Sequence, residues 1–254
     1  MRPPLHLTYG GHSTTLIELD GVRLLTDPVL RNRVAHLRRH ARPVDPAHYR
    51  RVDAVLISHL HLDHLDFPSL RRLGRDTPLV VPTGAAGALS RRGFRHVVEL
   101  RAGASLSLGP LTIEATRAEH SGFRPPFGPT ADCLGFVVRG SRRVYFAGDT
   151  DLFPEMAALA GDLDVALLPV WGWGPNLGEG HMDPLRAARA LTLLRPRVAV
   201  PIHWGTFHPI GTVARRARFL VDPPHTFARH AAALAPEVAV RVVPPGESFH
   251  PVAA

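Results

Sequence analysis

The chain has 254 residues, of which 45% are hydrophobic, 20% charged and 7% aromatic, and these fractions exclude intrinsic disorder, collagen and coiled coil as its architecture. The net charge of +8 comes from 30 basic residues that are all arginine, which indicates a coding bias more than a surface selected for nucleic acid. The unusual number is that of the histidines, of which there are 16.

The first part of the chain predicts three short strands, over residues 5–9, 14–19 and 22–26. Asp20 and Gly21 separate the second strand from the third, and this dipeptide between two apolar runs predicts a hairpin. An arginine-rich loop follows over residues 31–51 and contains seven arginines and three histidines.

From residue 52 onward, predicted strands alternate with predicted helices. The strands are expected over residues 54–58, 79–81, 111–116, 134–138, 144–147, 165–168, 198–202 and 238–243. The helices are expected over residues 68–73, 84–91, 184–194 and 226–234. Early hairpins followed by this alternation favour one layered α/β domain over residues 1–254, with sheet against sheet and helices outside.

The segment of residues 57–66, ISHLHLDHLD, carries the strongest chemical signal. His59 and His61 are two residues apart at the carboxyl end of a buried strand and therefore project to the same side, while Asp63 and His64 follow at the turn into the next helix. Imidazole and carboxylate ligands suit Zn(II), and also Mn(II) or Fe(II). Four ligands within six residues do not wrap one ion comfortably, which favours two metal ions per chain.

Three further candidates follow other predicted strands. His120 comes after the strand at 111–116, Asp149 after the strand at 144–147, and His203 after the strand at 198–202. Open α/β sheets place their sites at the carboxyl ends of strands, so we expect these residues to complete the metal centre.

Six segments resemble, in the same order, motifs of the metallo-β-lactamase superfamily. The resemblance is to the branch that contains ascorbate-6-phosphate lactonase-like proteins and N-acylphosphatidylethanolamine-hydrolysing phospholipase D. The segments are residues 11–18 (GHSTTLIE), 25–28 (LTDP), 53–66 (DAVLISHLHLDHLD), 146–150 (FAGDT), 180–184 (GHMDP) and 202–207 (IHWGTF). The resemblance implies a four-layer αββα sandwich of two mixed sheets with helices on the outer faces.

The resemblance also implies a ligand set for two metal ions. The first ion would be held by His59, His61 and His120. The second would be held by Asp63, His64 and His203, and Asp149 would bridge the two ions.

The resemblance implies supporting roles for three other residues. Asp27 matches an aspartate that hydrogen-bonds a histidine ligand and fixes its ring orientation. His181 matches a histidine that approaches the substrate, and we expect it to stabilise an oxyanion or to protonate the leaving group. We interpret His12 as a structural residue of the first strands or as a support for a ligand.

Such a site predicts a dinuclear hydrolase that uses a metal-bridged hydroxide, with Asp63 as the catalytic residue that orients it or takes its proton. A phosphodiester or other small ester is the first expectation, because Arg124 and the loop at residues 31–51 could bind phosphate oxygens. The rival is a lactone or amide, for which Trp171 and Trp173 would form an apolar wall.

Two more alternatives stay open at this point, a nucleic-acid phosphodiesterase and a non-catalytic metal-binding protein. We expect a small-molecule substrate, while the oligomeric state is not readable. Cys133 is the single cysteine, and the sequence has neither an apolar leader nor an apolar run of membrane-spanning length. These features predict a cytoplasmic protein.

Overall fold

The computed structural model describes residues 5–212 and 217–251. Within these residues, two seven-stranded sheets pack face to face, and helices cover their outer faces. This four-layer αββα arrangement confirms the predicted fold class. A third sheet of three short strands lies outside the sandwich.

The helices and strands are short and follow one another closely along the chain. The strands are β1 (His6–Gly11), β2 (Thr14–Leu19), β3 (Val22–Thr26), β4 (Arg33–Val34), β5 (Leu37–Arg39), β6 (Ala54–Leu56), β7 (Leu79–Pro82), β8 (Val97–Leu100), β9 (Ser105–Leu108), β10 (Leu111–Arg117), β11 (Leu134–Arg139), β12 (Arg143–Phe146), β13 (Val165–Pro169), β14 (Val198–Ile202), β15 (Phe207–Pro209), β16 (Ala239–Val240) and β17 (Ser248–Phe249). The α-helices are α1 (Phe67–Leu73), α2 (Ala86–Ser90), α3 (Pro184–Leu194) and α4 (Asp222–Leu234), and 3-10 turns occupy Pro46–His48, Pro154–Leu159 and Arg218–Leu220.

The two large sheets have the same pattern of strand directions. In the first sheet the order is β17-β1-β2-β3-β6-β7-β8, antiparallel from β17 to β3 and parallel from β3 to β8. In the second sheet the order is β9-β10-β11-β12-β13-β14-β16, antiparallel from β9 to β12 and parallel from β12 to β16. Strands β3 and β12 are therefore equivalent, since each joins the antiparallel half of its sheet to the parallel half.

The apolar core lies between the two sheets and is built from alternating side chains. In β10, Leu111, Ile113 and Ala115 are buried, whereas Thr112 and Glu114 between them are only half-buried, as a strand with one covered face requires. A second apolar cluster lies on the outer face of the first sheet, where Leu70 of α1 and other helical residues pack on β6 and β7.

Two aspartates begin the helices that flank the site. The carboxylate of Asp66 accepts the backbone N–H of Ser69 at the start of α1, and that of Asp183 accepts the N–H of Arg186 at the start of α3. Each helix has a proline in its first turn, where no backbone N–H is needed. These caps fix where the preceding loops end.

Most predicted elements are present, and the differences have local causes. The structure confirms β2, β3, β14 and α3 with the predicted bounds, and Asp20 and Gly21 form the expected turn with positive φ at both positions. Helix α4 begins at Asp222 rather than at 226, because Pro223 and Pro224 fit its first turn. The strand expected over 238–243 pairs only at Ala239–Val240, where it meets β14.

Candidate metal centre

The site lies at one edge of the sandwich, where the carboxyl ends of β3, β6, β10, β12 and β14 meet. These ends place the predicted residues together, although the residues come from five separate segments of the chain. They are Asp27 after β3, His59, His61, Asp63 and His64 after β6, His120 after β10, Asp149 after β12 and His203 after β14.

Three imidazole nitrogens converge in the first half of the site. Nδ1 of His61 lies 3.0 Å from Nε2 of His59 and 3.1 Å from Nε2 of His120. Burial lowers the pKa of all three imidazoles, that of His120 to about 4. Neutral imidazoles whose nitrogens face one another in this way form a donor set suited to a divalent cation.

The second half of the site combines imidazoles with carboxylates. Nε2 of His64 lies 3.3 Å from Nε2 of His203, and these atoms lie 3.0 and 3.1 Å from Oδ2 of Asp149. Oδ2 of Asp63 lies 4.0 Å from the same nitrogen of His64. This half is therefore the harder, more oxygen-rich of the two donor sets.

Asp149 connects the two halves. Its ligand atom lies within 4.8 Å of those of His120 and His181, in addition to its contacts with His64 and His203. Burial alone would raise the pKa of Asp149, but the charges on His203 and His64 hold it well below the usual value. Oδ1 of this carboxylate is buried and has no hydrogen-bond partner in the described part of the chain. A buried carboxylate oxygen without a partner is costly, and a cation would supply the missing partner.

Backbone carbonyls fix the tautomers of two of these histidines. Nδ1 of His120 lies 2.8 Å from the carbonyl oxygen of Gly180, and Nδ1 of His203 lies 2.8 Å from that of Trp171. A carbonyl oxygen only accepts, so Nδ1 of each neutral ring carries the proton and Nε2 keeps its lone pair. The lone pairs are therefore on the nitrogens that face the cluster, as metal ligation requires.

Asp27 orients one histidine in each half of the site. Oδ2 of Asp27 accepts from Nδ1 of His64 at 2.8 Å and from the Ser58 hydroxyl at 2.5 Å. Because that hydroxyl donates to Asp27, its oxygen accepts from Nδ1 of His59 at 2.9 Å. The backbone N–H of Ser58 donates to the other oxygen of Asp27 at 2.7 Å. Both carboxylate oxygens of Asp27 are therefore occupied.

Gly148 lets the two sheets approach each other at the site. It has a φ of +63°, and a Cβ at this position would lie 2.6 Å from Cβ of Ser58. A residue with a side chain would push Asp149 away from the loop that follows β6.

His12, in the turn of the first hairpin, contacts two of the candidate metal ligands. Its Nε2 lies 2.9 Å from Oδ2 of Asp63, and its ring centroid lies 3.9 Å from that of His203. Burial, together with the charge on His203, lowers the pKa of His12 to about 3. The only signal of this role in the sequence is the position of His12 in the segment 11–18.

His181 faces the same carboxylate as the candidate ligands but is partly exposed. Its Nε2 lies 3.4 Å from Oδ2 of Asp149, and its Nδ1 lies 3.0 Å from the carbonyl oxygen of Glu179. Burial would lower the pKa of His181, but the hydrogen bond and charge of Asp149 raise it above the usual value. His181 can therefore carry a proton at the edge of the site.

A cavity of about 230 Å³ opens next to these residues. The tip of the hairpin formed by β4 and β5 covers one side of it, and the candidate ligands form the floor. Its lining residues are Val34, Ala35, His36, Leu37, His61, Leu62, Asp63, Pro125, Asp149, Trp173 and His181. Within the described chain, none of the lining residues is an arginine.

Of the three residues expected to bind substrate, only Trp173 lines this cavity. The Arg124 guanidinium donates to the carbonyl oxygens of Leu60 and Leu65 and lies over the ring of Phe67. Trp171 lines a separate cavity, and its carbonyl holds His203. Contact of Arg124 and Trp171 with substrate stays a prediction.

Two arginines of the loop at residues 31–51 connect the region of the β4–β5 hairpin to other parts of the protein. Arg31 makes a bidentate ion pair with the carboxylate of Asp66. Arg39 is buried and donates to the carbonyl oxygens of Val29 and Gly10. These two guanidinium groups are therefore occupied by the protein itself.

Comparison with known proteins identifies the family. The model of the beta-lactamase superfamily domain matches residues 22–204, which is more than half of the chain. The chain therefore belongs to the beta-lactamase superfamily, which confirms the resemblance of its motifs. A solved structure, Igni18, a metallo hydrolase from Ignicoccus hospitalis, superposes with a TM-score of 0.74 at 29% identity, covering 96% of this chain and 97% of that one.

Three relatives differ in how far they extend beyond this chain. A UPF0173 metal-dependent hydrolase of Thermofilum pendens is 37% identical over 85% of this chain and 90% of its own length. The chain spans only 65% of the length of an uncharacterized protein of Mycobacterium tuberculosis, at 36% identity over 87% of this chain. It also spans 65% of the N-acyl-phosphatidylethanolamine-hydrolyzing phospholipase D 1 of Caenorhabditis elegans, at 31% identity over 82% of this chain.

None of the helices in the described part of the chain is both long enough and apolar enough to cross a lipid bilayer.

Proposed function

We propose that the protein is a hydrolase that depends on two divalent metal ions. The observation that carries the proposal is the carboxylate of Asp149. It contacts His64 and His203 of the second half, lies within 4.8 Å of the ligand atom of His120 in the first half, and keeps one buried oxygen without a partner among the described residues. The names of the relative from Thermofilum pendens and of Igni18 support the same chemistry.

Each half of the site would hold one ion. The first half offers His59, His61 and His120 as ligands, the second half offers Asp63, His64 and His203, and Asp149 would contact both ions. Zn(II) suits these nitrogen and oxygen ligands, and Mn(II) or Fe(II) fit them as well. When bound, such ions lower the pKa of water and polarise the bond to be broken.

The protein residues around the ions orient and transfer protons. Asp63 lies at the cavity wall and would accept a proton from the attacking water at its free carboxylate oxygen. His181 lines the same cavity with its Nε2 3.4 Å from Oδ2 of Asp149, where it would stabilise the oxyanion or protonate the leaving group.

The cavity favours a small uncharged substrate, such as a lactone, an ester or an amide. Leu62, Pro125 and Trp173 give it an apolar wall. Arg124 and Arg31, two of the arginines expected to bind phosphate, donate instead to carbonyls and a carboxylate of the protein. A substrate with a phosphate group would find no arginine in the lining of this cavity.

A phosphodiester is the second candidate. It is favoured by the 31% identity to the phospholipase D 1 of Caenorhabditis elegans, which is named as hydrolysing N-acyl-phosphatidylethanolamine. The chain spans 65% of that relative, so the comparison leaves a third of the phospholipase without a counterpart.

Metal analysis combined with a hydrolysis panel tests the proposal. The panel contains an aryl phosphodiester, an aryl ester, a lactone and a chromogenic β-lactam, each with wild type, Asp63→Ala and Asp162→Ala. We expect two Zn(II) per chain and turnover of the lactone or ester that is lost in Asp63→Ala. Asp162 is exposed and precedes the amino end of β13, whereas the candidate ligands follow the carboxyl ends of strands. Asp162→Ala is therefore the matched control.

Two results would contradict the proposal at different levels. Less than one tightly held metal ion per chain would overturn the dinuclear site. Two ions with turnover of the phosphodiester alone would replace the first substrate class with the second.

A further inference from the structure

The turn between β1 and β2 connects the two sheets directly at the site. His12 occupies this turn with a φ of +58°, and its backbone N–H donates to the hydroxyl of Thr206 at 2.6 Å. Its carbonyl oxygen accepts the backbone N–H of His203 at 2.8 Å. The backbone of His12 is therefore held on the loop that carries a candidate ligand of the second half.

The side chain of His12 is fixed as tightly as its backbone. It is 1% exposed, and its ring lies between the ring of His203, with centroids 3.9 Å apart, and the edge of Phe207, at 5.2 Å. From this position its Nε2 reaches Oδ2 of Asp63 at 2.9 Å, across 51 residues of sequence. A ring packed in this way has one orientation and one polar partner available at Nε2.

The contact shows which atom donates. The carboxylate of Asp63 only accepts, so Nε2 of His12 carries the proton of the neutral ring. A nitrogen that donates has no lone pair for a metal ion. His64 and His203 differ from His12, because their Nδ1 atoms donate to Asp27 and to the carbonyl oxygen of Trp171, so that Nε2 keeps its lone pair when either ring is neutral.

We propose that His12 is a positioning residue for Asp63. By donating to Oδ2, His12 holds the Asp63 carboxylate in one rotamer, in which that oxygen lies 4.0 Å from Nε2 of His64 in the second half of the metal centre. Oδ1 is then the oxygen that would accept a proton from the attacking water. This inference rests on the proposed function for its consequence in catalysis, but its structural content concerns the second half of the metal centre alone.

The matched pair His12→Gln and His12→Met tests this role. Glutamine places an amide N–H near the position of Nε2, while methionine has nearly the same shape and no donor. Neither residue is branched at Cβ, so the positive φ costs both variants about the same. Melting temperatures of the metal-free variants check that both fold.

The first measurement is Zn(II) affinity, by competition with a chromophoric chelator. We expect His12→Met to bind one of the two Zn(II) ions about 10–100-fold more weakly and the other as wild type does, since loss of a group that orients a ligand has effects of this size. We expect His12→Gln to stay within a few-fold of wild type for both ions. In turnover at saturating Zn(II), kcat should fall in His12→Met with little change in KM.

The outcomes separate the inference from the proposed function. If His12→Met binds both ions like wild type, or if both variants are equally weakened, the donated hydrogen bond is not what matters and the inference is wrong. If wild type binds two Zn(II) ions but hydrolyses nothing in the panel, the proposed function fails, while the Zn(II) titrations still decide the role of His12.

Discussion

Asp27 and Asp149 occupy equivalent places in the two sheets but differ in their hydrogen bonds. One follows β3 and the other follows β12, the strands at which each sheet changes from antiparallel to parallel pairing. Both are buried, and both contact His64. Ser58 and His64 occupy both oxygens of Asp27, whereas Asp149 keeps Oδ1 without a partner among the described residues.

The difference shows how one topological position supports two roles. A carboxylate whose oxygens are both hydrogen-bonded is already compensated for its burial and orients its neighbours. A carboxylate with a free oxygen is available to a cation. The neighbouring residues, rather than the strand that presents it, therefore decide what each aspartate does.

Removal of the Asp149 carboxylate should have the largest effect. If the proposed dinuclear site is correct, we expect Asp149→Ala to lose at least one of the two metal ions and all detectable turnover, because this residue lies between the two halves of the site. Zn(II) that binds the folded state more tightly than the unfolded chain should raise the melting temperature of wild type. Calorimetry with and without Zn(II) measures this, and an undiminished rise in Asp149→Ala would contradict the bridging role.

His181→Ala should have the next largest effect, since it removes the partly exposed partner of Asp149. We expect kcat to fall about 100-fold, the size typical of a lost proton donor or oxyanion contact, with two metal ions still bound. Metal analysis and steady-state kinetics on the same sample check both parts. Full turnover with both ions bound would exclude His181 from the reaction.

Asp27→Asn should weaken the site without abolishing it. The amide keeps the size of the side chain, but its NH₂ group only donates and cannot replace a carboxylate oxygen that accepts from Ser58 or His64. We expect metal affinity to fall about 10–100-fold and the free energy of unfolding of the metal-free protein to fall by about 1–3 kcal/mol. Chelator competition and urea denaturation measure these quantities, and wild-type values in both would show that Asp27 orients nothing.

Ser58→Ala should have the smallest effect of the four, because it breaks only the link from Asp27 to His59. The hydrogen bond that Nδ1 of His64 donates to Asp27 stays in place. We expect a loss of about 1 kcal/mol in stability and weaker binding of one metal ion only. If both ions bind more weakly to the same extent, the Ser58 hydroxyl affects both halves of the site and not His59 alone.

The sequence was sufficient to predict the features that depend on local pattern. The helix at Pro184–Leu194 and the strand at Val198–Ile202 were predicted with their bounds, because a cap and a continuous apolar run are visible within a few residues. The residues at the ends of β6, β10, β12 and β14 could be grouped because the carboxyl ends of strands that run the same way meet at one edge of a sheet.

The features that were missed depend on contacts between distant segments. Strand β5 pairs with β15, about 170 residues away, and neither segment is apolar enough to predict a strand alone. The contacts of Arg124 with the carbonyl oxygens of Leu60 and Leu65 are likewise visible only in three dimensions, while its contact with substrate stays a prediction. The link from His12 to Asp63 was missed for the same reason.

The small third sheet allows the shape of the cavity to change by amino-acid substitution outside the two large sheets. The tip of its hairpin, residues 34–37, forms one wall of the cavity, while Asp149 and the histidines opposite are supplied by the two large sheets. Substitutions at Ala35 and His36, which are exposed, alter the shape offered to a substrate without touching the sandwich core. This part of the cavity wall is therefore encoded in a different stretch of sequence from the candidate metal ligands, so its shape can change by substitution while the ligands are kept.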